Sequence, residues 1–366
     1  MELRIWRYFD PLLLVAMVAL VVYGLAMVYS ATYQRNGVGV DPLVYRDTIY
    51  AGIGLGLFAA LSAIDYHVFR NFAWLLFAGC SGLLVVVLVT GKVLHGAQRW
   101  IQLGPWQFQP SEVAKICVIV ALSRYFSHYH DRLKSPKVIV GSVIIPAIPI
   151  GLVLLQPDFG TATVYLAIWL AIAFAAGVPA RFFLGLLGAA LVVAPAAWVV
   201  MQPYQRGRIL VFLNPQSDPL DAGYNAIQAL ISVGAGQFFG RGYLSGSQSQ
   251  LHFLRVQYAD FIFSVMAEEL GFVGGSVMFL LFAIVVLRGL RAAYRSRETF
   301  GRLLSCGIVS VIAYQLVVNV GMNEGLLPVT GVPLPMVSYG GTSLVTFMGS
   351  LGILESIAMR HRKFGF

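Results

Sequence analysis

Glu112 and Lys115 stand three residues apart at the head of an otherwise apolar run, and Asp158, Asp260 and the pair Glu268 and Glu269 lie in or beside other apolar runs. An ionisable side chain inside a membrane span costs on the order of 3 kcal/mol by insertion scales and marks a function or a partner. A carboxylate partly removed from water holds a proton more tightly, which suits it to take one from a weak nucleophile such as a hydroxyl. Asp260 fits that use, because it follows a long mixed segment and heads an apolar helix. Arg99, Arg206 and Arg208 carry the planar fork that grips a phosphate through paired hydrogen bonds. Each residue also has a plainer use. Glu112 and Lys115 share a helical face and can pair with each other. Asp158 and Asp260 can cap the helices they precede, and the arginines can anchor lipid headgroups. On residue types alone both uses stay open.

Other chemistries have no residues to support them. Gly234-Ala235-Gly236 with Gly240 follows no strand and opens no βαβ unit, so it is no dinucleotide loop. The six histidines show no zinc-ligand spacing, and no nucleophile elbow or phosphate-cradling loop occurs. Cys80, Cys117 and Cys306 each sit in apolar runs and read as buried free thiols.

The elements that must position these side chains are set by composition. The 366 residues are 58% hydrophobic and 11% charged, with mean hydropathy +0.78; a soluble domain carries about 25% charged residues. That excludes an ordinary soluble or a disordered chain. A membrane helix needs roughly 20 apolar residues, and ten such runs occur at 11–30, 48–64, 72–90, 111–127, 138–156, 161–178, 183–202, 260–288, 303–322 and 343–359. They are continuous, not alternating, so the expected fold is an all-α polytopic bundle of ten transmembrane helices in one domain, 1–366. The first run, Pro11–Tyr29, exceeds a signal-peptide core and reads as a retained span. Most of the 25 Lys and Arg residues, including Arg4, Arg7, Arg70, Arg124, Arg288, Arg291, Arg295, Arg360, Arg362 and Lys363, fall on one side. The positive-inside rule makes that side cytoplasmic and puts both termini there, as expected of an inner-membrane protein. The net charge of +9 then needs no nucleic-acid partner.

Two segments on the other side break the pattern of a plain bundle. Residues 203–259 form a long extracytoplasmic loop, expected to carry short interfacial or re-entrant helices. Residues 323–342 are rich in Gly and Pro and form a rigid shaped turn. Irregular backbone at membrane depth survives where protein or a wet cavity covers it, so a polar cavity is expected at this end.

Several motifs in order now give a resemblance over nearly the whole chain. Gly96-Ala97-Gln98-Arg99-Trp100, Phe108-Gln109-Pro110-Ser111-Glu112, Gln156-Pro157-Asp158, Asn214-Pro215, Asp260-Phe261-Ile262-Phe263 and Ser338-Tyr339-Gly340-Gly341 resemble the shape, elongation, division and sporulation (SEDS) family of cell-wall proteins. Gly321-Met322-Asn323 and Leu326-Leu327-Pro328-Val329-Thr330-Gly331 look more like its elongation branch than its division branch. The resemblance implies a glycosyltransferase that polymerises lipid II into peptidoglycan at the outer face of the cytoplasmic membrane. It also implies a class B penicillin-binding transpeptidase and other elongation proteins as partners. Lipid II would be donor and acceptor, undecaprenyl diphosphate the leaving group, and Asp260 the general base of an inverting transfer. Arg99, Glu112, Lys115, Asp158, Arg206, Arg208 and Ser338 are carried over as substrate-binding positions. No cofactor is required by the residues, and a divalent cation, Mg²⁺ or Mn²⁺, stays open. One departure is visible: where the family has Phe-Leu-Pro-Glu and a His-Thr pair before the Asp, this chain reads Phe253-Leu254-Arg255-Val256-Gln257-Tyr258-Ala259. Two rivals remain on sequence grounds, a lipid II flippase and a non-catalytic activator of the transpeptidase.

Overall fold

The computed structural model describes residues 6–33, 40–94, 97–104, 106–218, 222–251, 253–254 and 256–360. Of the residues singled out above, Arg4, Gly96, Arg255, Arg362 and Lys363 lie outside them. Among the described residues ten helices have 18 residues or more: α1 (Pro11–Thr32), α2 (Pro42–Ala63), α3 (His67–Thr90), α4 (Pro110–His128), α5 (Pro136–Leu155), α6 (Phe159–Ala176), α7 (Ala180–Val200), α11 (Ile262–Arg295), α12 (Thr299–Asn323) and α13 (Gly341–Met359). These match the ten expected runs. Shorter helices α8 (Pro203–Leu213), α9 (Ala222–Gly236) and α10 (Ser247–Gln250) lie between α7 and α11. The chain is a membrane protein. Seven of the long helices are apolar enough to span on composition alone. Of the rest, α2 and α4 carry Arg46, Asp47, Glu112, Lys115 and Arg124.

Helix starts follow the local chemistry. Asp10 and Asp41 cap α1 and α2, each with proline next in the chain. Proline fixes φ and has no N–H to leave unpaired in a first turn. Helices α12 and α13 form the centre of the bundle, and almost every residue of α13 is buried. By contrast α7 stands at the margin: its start packs through Phe182 and Phe183, while Leu184, Leu191, Val192 and Val199 are exposed.

One element was not foreseen. Strands β1 (Lys92–Leu94), β2 (Ala97–Leu103) and β3 (Trp106–Phe108) form an antiparallel meander, with Ile101 opposite Phe108 and Leu103 opposite Trp106. It caps one end of the bundle between α3 and α4. The strands are too short to stand out against the long apolar runs around them.

The eighth expected span is not a single helix. Helix α11 is interrupted at Gly271, which has φ 63° and ψ −159°. The break frees the carbonyls of Glu268 and Glu269 and the N–H groups of Phe272 and Val273. Residues 237–242 re-pair all four: Arg241 and Gly242 donate to the two carbonyls at 2.9 and 3.0 Å, and Phe272 and Val273 donate to Gln237 and Phe238 at 3.0 and 3.1 Å. Unpaired backbone in a bilayer costs several kcal/mol per group, so the docked segment is what makes the break tolerable. Glycines permit the approach: a Cβ at Gly240, whose φ is +79°, would lie 2.2 Å from the Glu269 carbonyl oxygen. Gly240→Ala combines a disfavoured φ with that clash and is expected to destabilise the fold by more than ~1 kcal/mol, read as a lowered midpoint of thermal unfolding in detergent.

The same region accounts for Glu268 and Glu269, both fully buried. Glu268 accepts from the backbone N–H groups of Gln248 and Ser249 at 2.8 and 2.9 Å. Glu269 accepts from Ser30 Oγ at 2.6 Å and Gln250 Nε2 at 3.1 Å. The two acids fasten α10 to α11 and α1.

Candidate functional site

A polar cavity of about 390 Å³ opens at the end of the bundle that carries the sheet. Each wall arises from an element already described. The first turns of α2 supply Arg46 and Tyr50, one helical turn apart, β2 supplies Arg99 and Trp100, and α4 supplies Glu112. The α5–α6 junction supplies Asp158 and Thr161, α8 supplies Arg208, and the segment before α11 supplies Val256, Tyr258, Ala259 and Asp260. The Gly- and Pro-rich turn completes it with Thr330, Gly331, Pro333 and Tyr339, followed by the start of α13.

Asp260 is half-buried and faces this cavity. Its main-chain carbonyl accepts from Asn319 Nδ2 at 3.2 Å and from Asn323 Nδ2 at 3.1 Å. Asn319 also donates to the Val332 carbonyl at 2.8 Å, which ties the acid to the turn opposite. At Gly331, where φ is +71°, an added Cβ would sit 3.5 Å from Asp260 Oδ2. That is an ordinary van der Waals distance, so the positive φ, not crowding of the carboxylate, is what favours glycine here. Ser338 does not line the cavity; its Oγ donates to the Ala259 carbonyl at 2.7 Å and accepts from Leu334 N–H at 2.9 Å. It holds the Asp260 segment against the turn.

The other sequence candidates divide. Arg99, Glu112, Asp158 and Arg208 line the cavity with Asp260. Asp158 does cap α6, accepting from Thr161 N–H at 3.1 Å and Thr161 Oγ1 at 2.8 Å. It also pairs with Arg99 at 3.6 Å. Arg99 is further committed to the Gln156 and Pro157 carbonyls, so it braces the α5–α6 turn against the sheet. Lys115 lies behind the wall, 2.8 Å from Glu112 and over the Phe347 ring, with both charged side chains 3% exposed. The pairing alternative is therefore what the geometry displays for these two. Arg206 stands apart from the cavity, donating to the Val199 carbonyl at the end of α7.

With Glu112 paired to Lys115 and Asp158 to Arg99, the wall of the same cavity also offers Arg46 and Arg208 as cations. Arg208 donates to the Thr330 carbonyl at 2.9 Å. Burial pulls its guanidinium below the usual arginine range, with the charge of Arg99 adding, while Asp158 and Asp260 act the other way. An anion bound beside Arg208 would relieve that repulsion. Sequence reasoning missed Arg46, Tyr50, Tyr258 and Tyr339 as lining residues. The i, i+4 spacing of Arg46 and Tyr50 at a helix start was the available signal for the first two. Among the described residues no three His, Cys, Asp or Glu side chains are grouped to hold a metal ion.

An apolar groove of about 400 Å³ runs beside the cavity between α2, α3, α4 and α13, lined by Ile53, Leu57, Leu76, Ile116 and Val345 among others. Tyr50, Gln107, Gly341 and Thr342 line both spaces. The pair can hold a molecule with a charged, hydroxylated head and a long hydrocarbon tail.

Known proteins share this sequence and fold. A family model described as a cell cycle protein of the FtsW, RodA and SpoVE type matches residues 11–363. The chain is similar to the peptidoglycan glycosyltransferase MrdB of Escherichia coli strain K12, 39% identical over 363 residues, covering 97% of this chain and 95% of that one. It is also similar to the peptidoglycan glycosyltransferase RodA of Treponema pallidum, 34% identical, covering 98% and 100%. A solved structure described as a peptidoglycan synthase complex that coordinates polymerization and crosslinking superposes with a TM-score of 0.82 at 32% identity, over 96% of this chain and 98% of that one. The rod shape determining protein RodA of Thermus thermophilus superposes at 0.71 with 28% identity, over 97% and 98%.

Proposed function

The chain belongs to the FtsW, RodA and SpoVE family and is a peptidoglycan glycosyltransferase; we propose that it polymerises lipid II, with Asp260 as the general base of an inverting transfer. The observation that carries this reading is the position of Asp260. A carboxylate half removed from water stands in a polar cavity that shares its wall with a groove for an apolar tail.

The acceptor hydroxyl is a weak nucleophile and gives its proton to the Asp260 carboxylate as its oxygen attacks the donor's anomeric carbon. A bond forms between that oxygen and the anomeric carbon, and the bond from the same carbon to the diphosphate breaks. The electron pair leaves on the diphosphate, whose growing charge Arg208 and Arg46 stabilise. One displacement inverts the centre, so an α-linked diphosphate becomes a β-linked glycan. Arg99 and Asp158 keep the cavity's shape rather than meeting the anion first. No step is assigned to a metal ion.

The cavity end is assigned to the outer face of the bacterial cytoplasmic membrane, with both termini inside. Arg70, Arg124, Arg288, Arg291, Arg295 and Arg360 lie toward the opposite end, which supports that orientation by the positive-inside rule. The similarity to a synthase complex that couples polymerization to crosslinking supports a class B penicillin-binding transpeptidase as partner. Cell elongation as the setting rests on the MrdB and RodA relatives.

Purified protein, with the transpeptidase present, should make glycan from lipid II in detergent, where no bilayer remains to cross. A carrier or a non-catalytic activator would make none. The groove has its own test. Thr346→Trp, which narrows it, should exclude two or so methylenes of the tail at about 0.8 kcal/mol each and raise the KM for undecaprenyl-linked substrate about tenfold. A short-chain lipid II analogue should show little change in the same assay.

A further inference from the structure

Tyr258 and Tyr339 stand in the cavity beside Asp260 and take no part in the proton transfer or the anion binding described above. Their ring centroids are 5.6 Å apart and their planes cross at 80°, edge to face. The backbone fixes them together, since Tyr339 N–H donates to the Tyr258 carbonyl at 3.0 Å. The Ser338 hydroxyl, donating to the next carbonyl at 2.7 Å, locks the same two strands of chain. Both rings are half-buried, so each keeps some surface toward the cavity. Burial, with Asp47 and Tyr50 adding, pushes the Tyr339 phenol up to about 12, which leaves the ring neutral at any working pH. Tyr50 is engaged elsewhere: it packs edge-on against Trp106 at 5.2 Å, where cavity and groove meet. Gly331, Gly340 and Gly341 line the cavity beside the pair, and Gly341 lets the Tyr50 ring approach the backbone. At Gly341 a Cβ would fall 2.1 Å from the Tyr50 ring.

We propose that Tyr258 and Tyr339 form an aromatic corner that receives the C–H face of a pyranose ring and holds the acceptor sugar with its hydroxyl edge toward Asp260. The inference rests on the reading of Asp260 as the acceptor's base. A pyranose is amphipathic: its C–H bonds gather on its faces and its hydroxyls ring the edge. Hydroxyls alone give little net binding, because water satisfies them equally well. The face of an aromatic ring is the negative part of its quadrupole and attracts polarised C–H groups while excluding water. A corner fixed by its own backbone spends little ordering entropy on binding.

The test is equilibrium binding of lipid II to the purified protein in detergent, followed through tryptophan fluorescence, with initial polymerisation rates measured alongside. Tyr258→Phe keeps the ring and should bind within about twofold of wild type, whereas Tyr258→Leu and Tyr258→Ala should bind about three- to tenfold more weakly. Because the corner also orients the acceptor's hydroxyl edge toward Asp260, the rate at saturating lipid II should fall with Tyr258→Leu and Tyr258→Ala as well, and least with Tyr258→Phe. Wild-type binding by Tyr258→Leu overturns the corner. So does equal weakening by Tyr258→Phe and Tyr258→Ala, which would put the hydroxyl, not the ring face, in charge. Should Tyr258→Ala fail to fold, Tyr258→Leu retains most of the bulk and reads the same effect. Binding is independent of turnover, so a wild-type protein that binds lipid II without making glycan contradicts the catalytic reading. An indifferent Tyr258→Leu contradicts the corner alone.

Discussion

Asp260→Asn is expected to slow glycan polymerisation by about 10²–10⁴-fold, the usual worth of a positioned general base. The substitution is nearly isosteric, and the contacts that Asn319 and Asn323 make go to the main-chain carbonyl of residue 260, not to its side chain. The fold and lipid II binding should therefore be close to those of wild type. Only the capacity to accept a proton is removed. Product measured on gels from purified protein, beside a thermal unfolding curve, separates lost chemistry from lost structure.

The second large effect concerns Glu112 and Lys115, a pair 2.8 Å apart and 3% exposed on each side. Removing one member of a buried pair strands a charge, at about 3–5 kcal/mol. Glu112→Gln leaves the Lys115 ammonium against Phe347 with no carboxylate, and Lys115→Met leaves a buried carboxylate. Each single variant should unfold at a clearly lower temperature in detergent. The double variant Glu112→Gln with Lys115→Met should recover most of the loss, since replacing a buried pair by neutral groups of similar volume is often near neutral. A single variant with wild-type stability would show that the pair is not what braces this wall. Activity in the double variant decides the remaining question. A stable double variant that polymerises normally gives the pair a structural role, and a stable inactive one gives Glu112, which does line the cavity, a part in the reaction.

The ten long helices were legible because a bilayer imposes one strong rule: apolar runs long enough to cross it. Gly177 at the end of α6 and the prolines at the heads of α1, α2, α4 and α5 mark boundaries that a chain without structure already displays. The sheet over residues 92–108 was less visible, because strands of three to seven residues leave a weak periodic signal. The break at Gly271 was hidden for a different reason. It lies in a continuous apolar run, and its stability depends on residues 237–242, some thirty positions earlier, supplying the missing hydrogen bonds.

The site divided along similar lines. Asp260 stood out as an acid at the head of an apolar helix, and the resemblance named the same residue. The arginines were harder to sort, since sequence alone cannot say what a guanidinium meets. Arg99 and Arg206 spend hydrogen bonds on carbonyls of neighbouring turns, while Arg46 was absent from the reckoning because α2 was judged by its apolar part. Glu268 and Glu269 carried the strongest burial signal of all and turned out to fasten a loop. An acid in an apolar run announces a partner, and only the fold tells whether that partner is a substrate or the protein's own backbone.

The central claim is that the carboxylate of Asp260 takes the acceptor's proton. Its most direct test is polymerisation of lipid II by Asp260→Ala with and without added formate, a carboxylate small enough for a cavity of about 390 Å³. The account predicts a rate near zero without formate. Added formate should restore a rate that rises with its concentration and falls when lower pH protonates it, with no such rescue of Asp158→Ala. Wild-type polymerisation by Asp260→Ala in the absence of formate would contradict it.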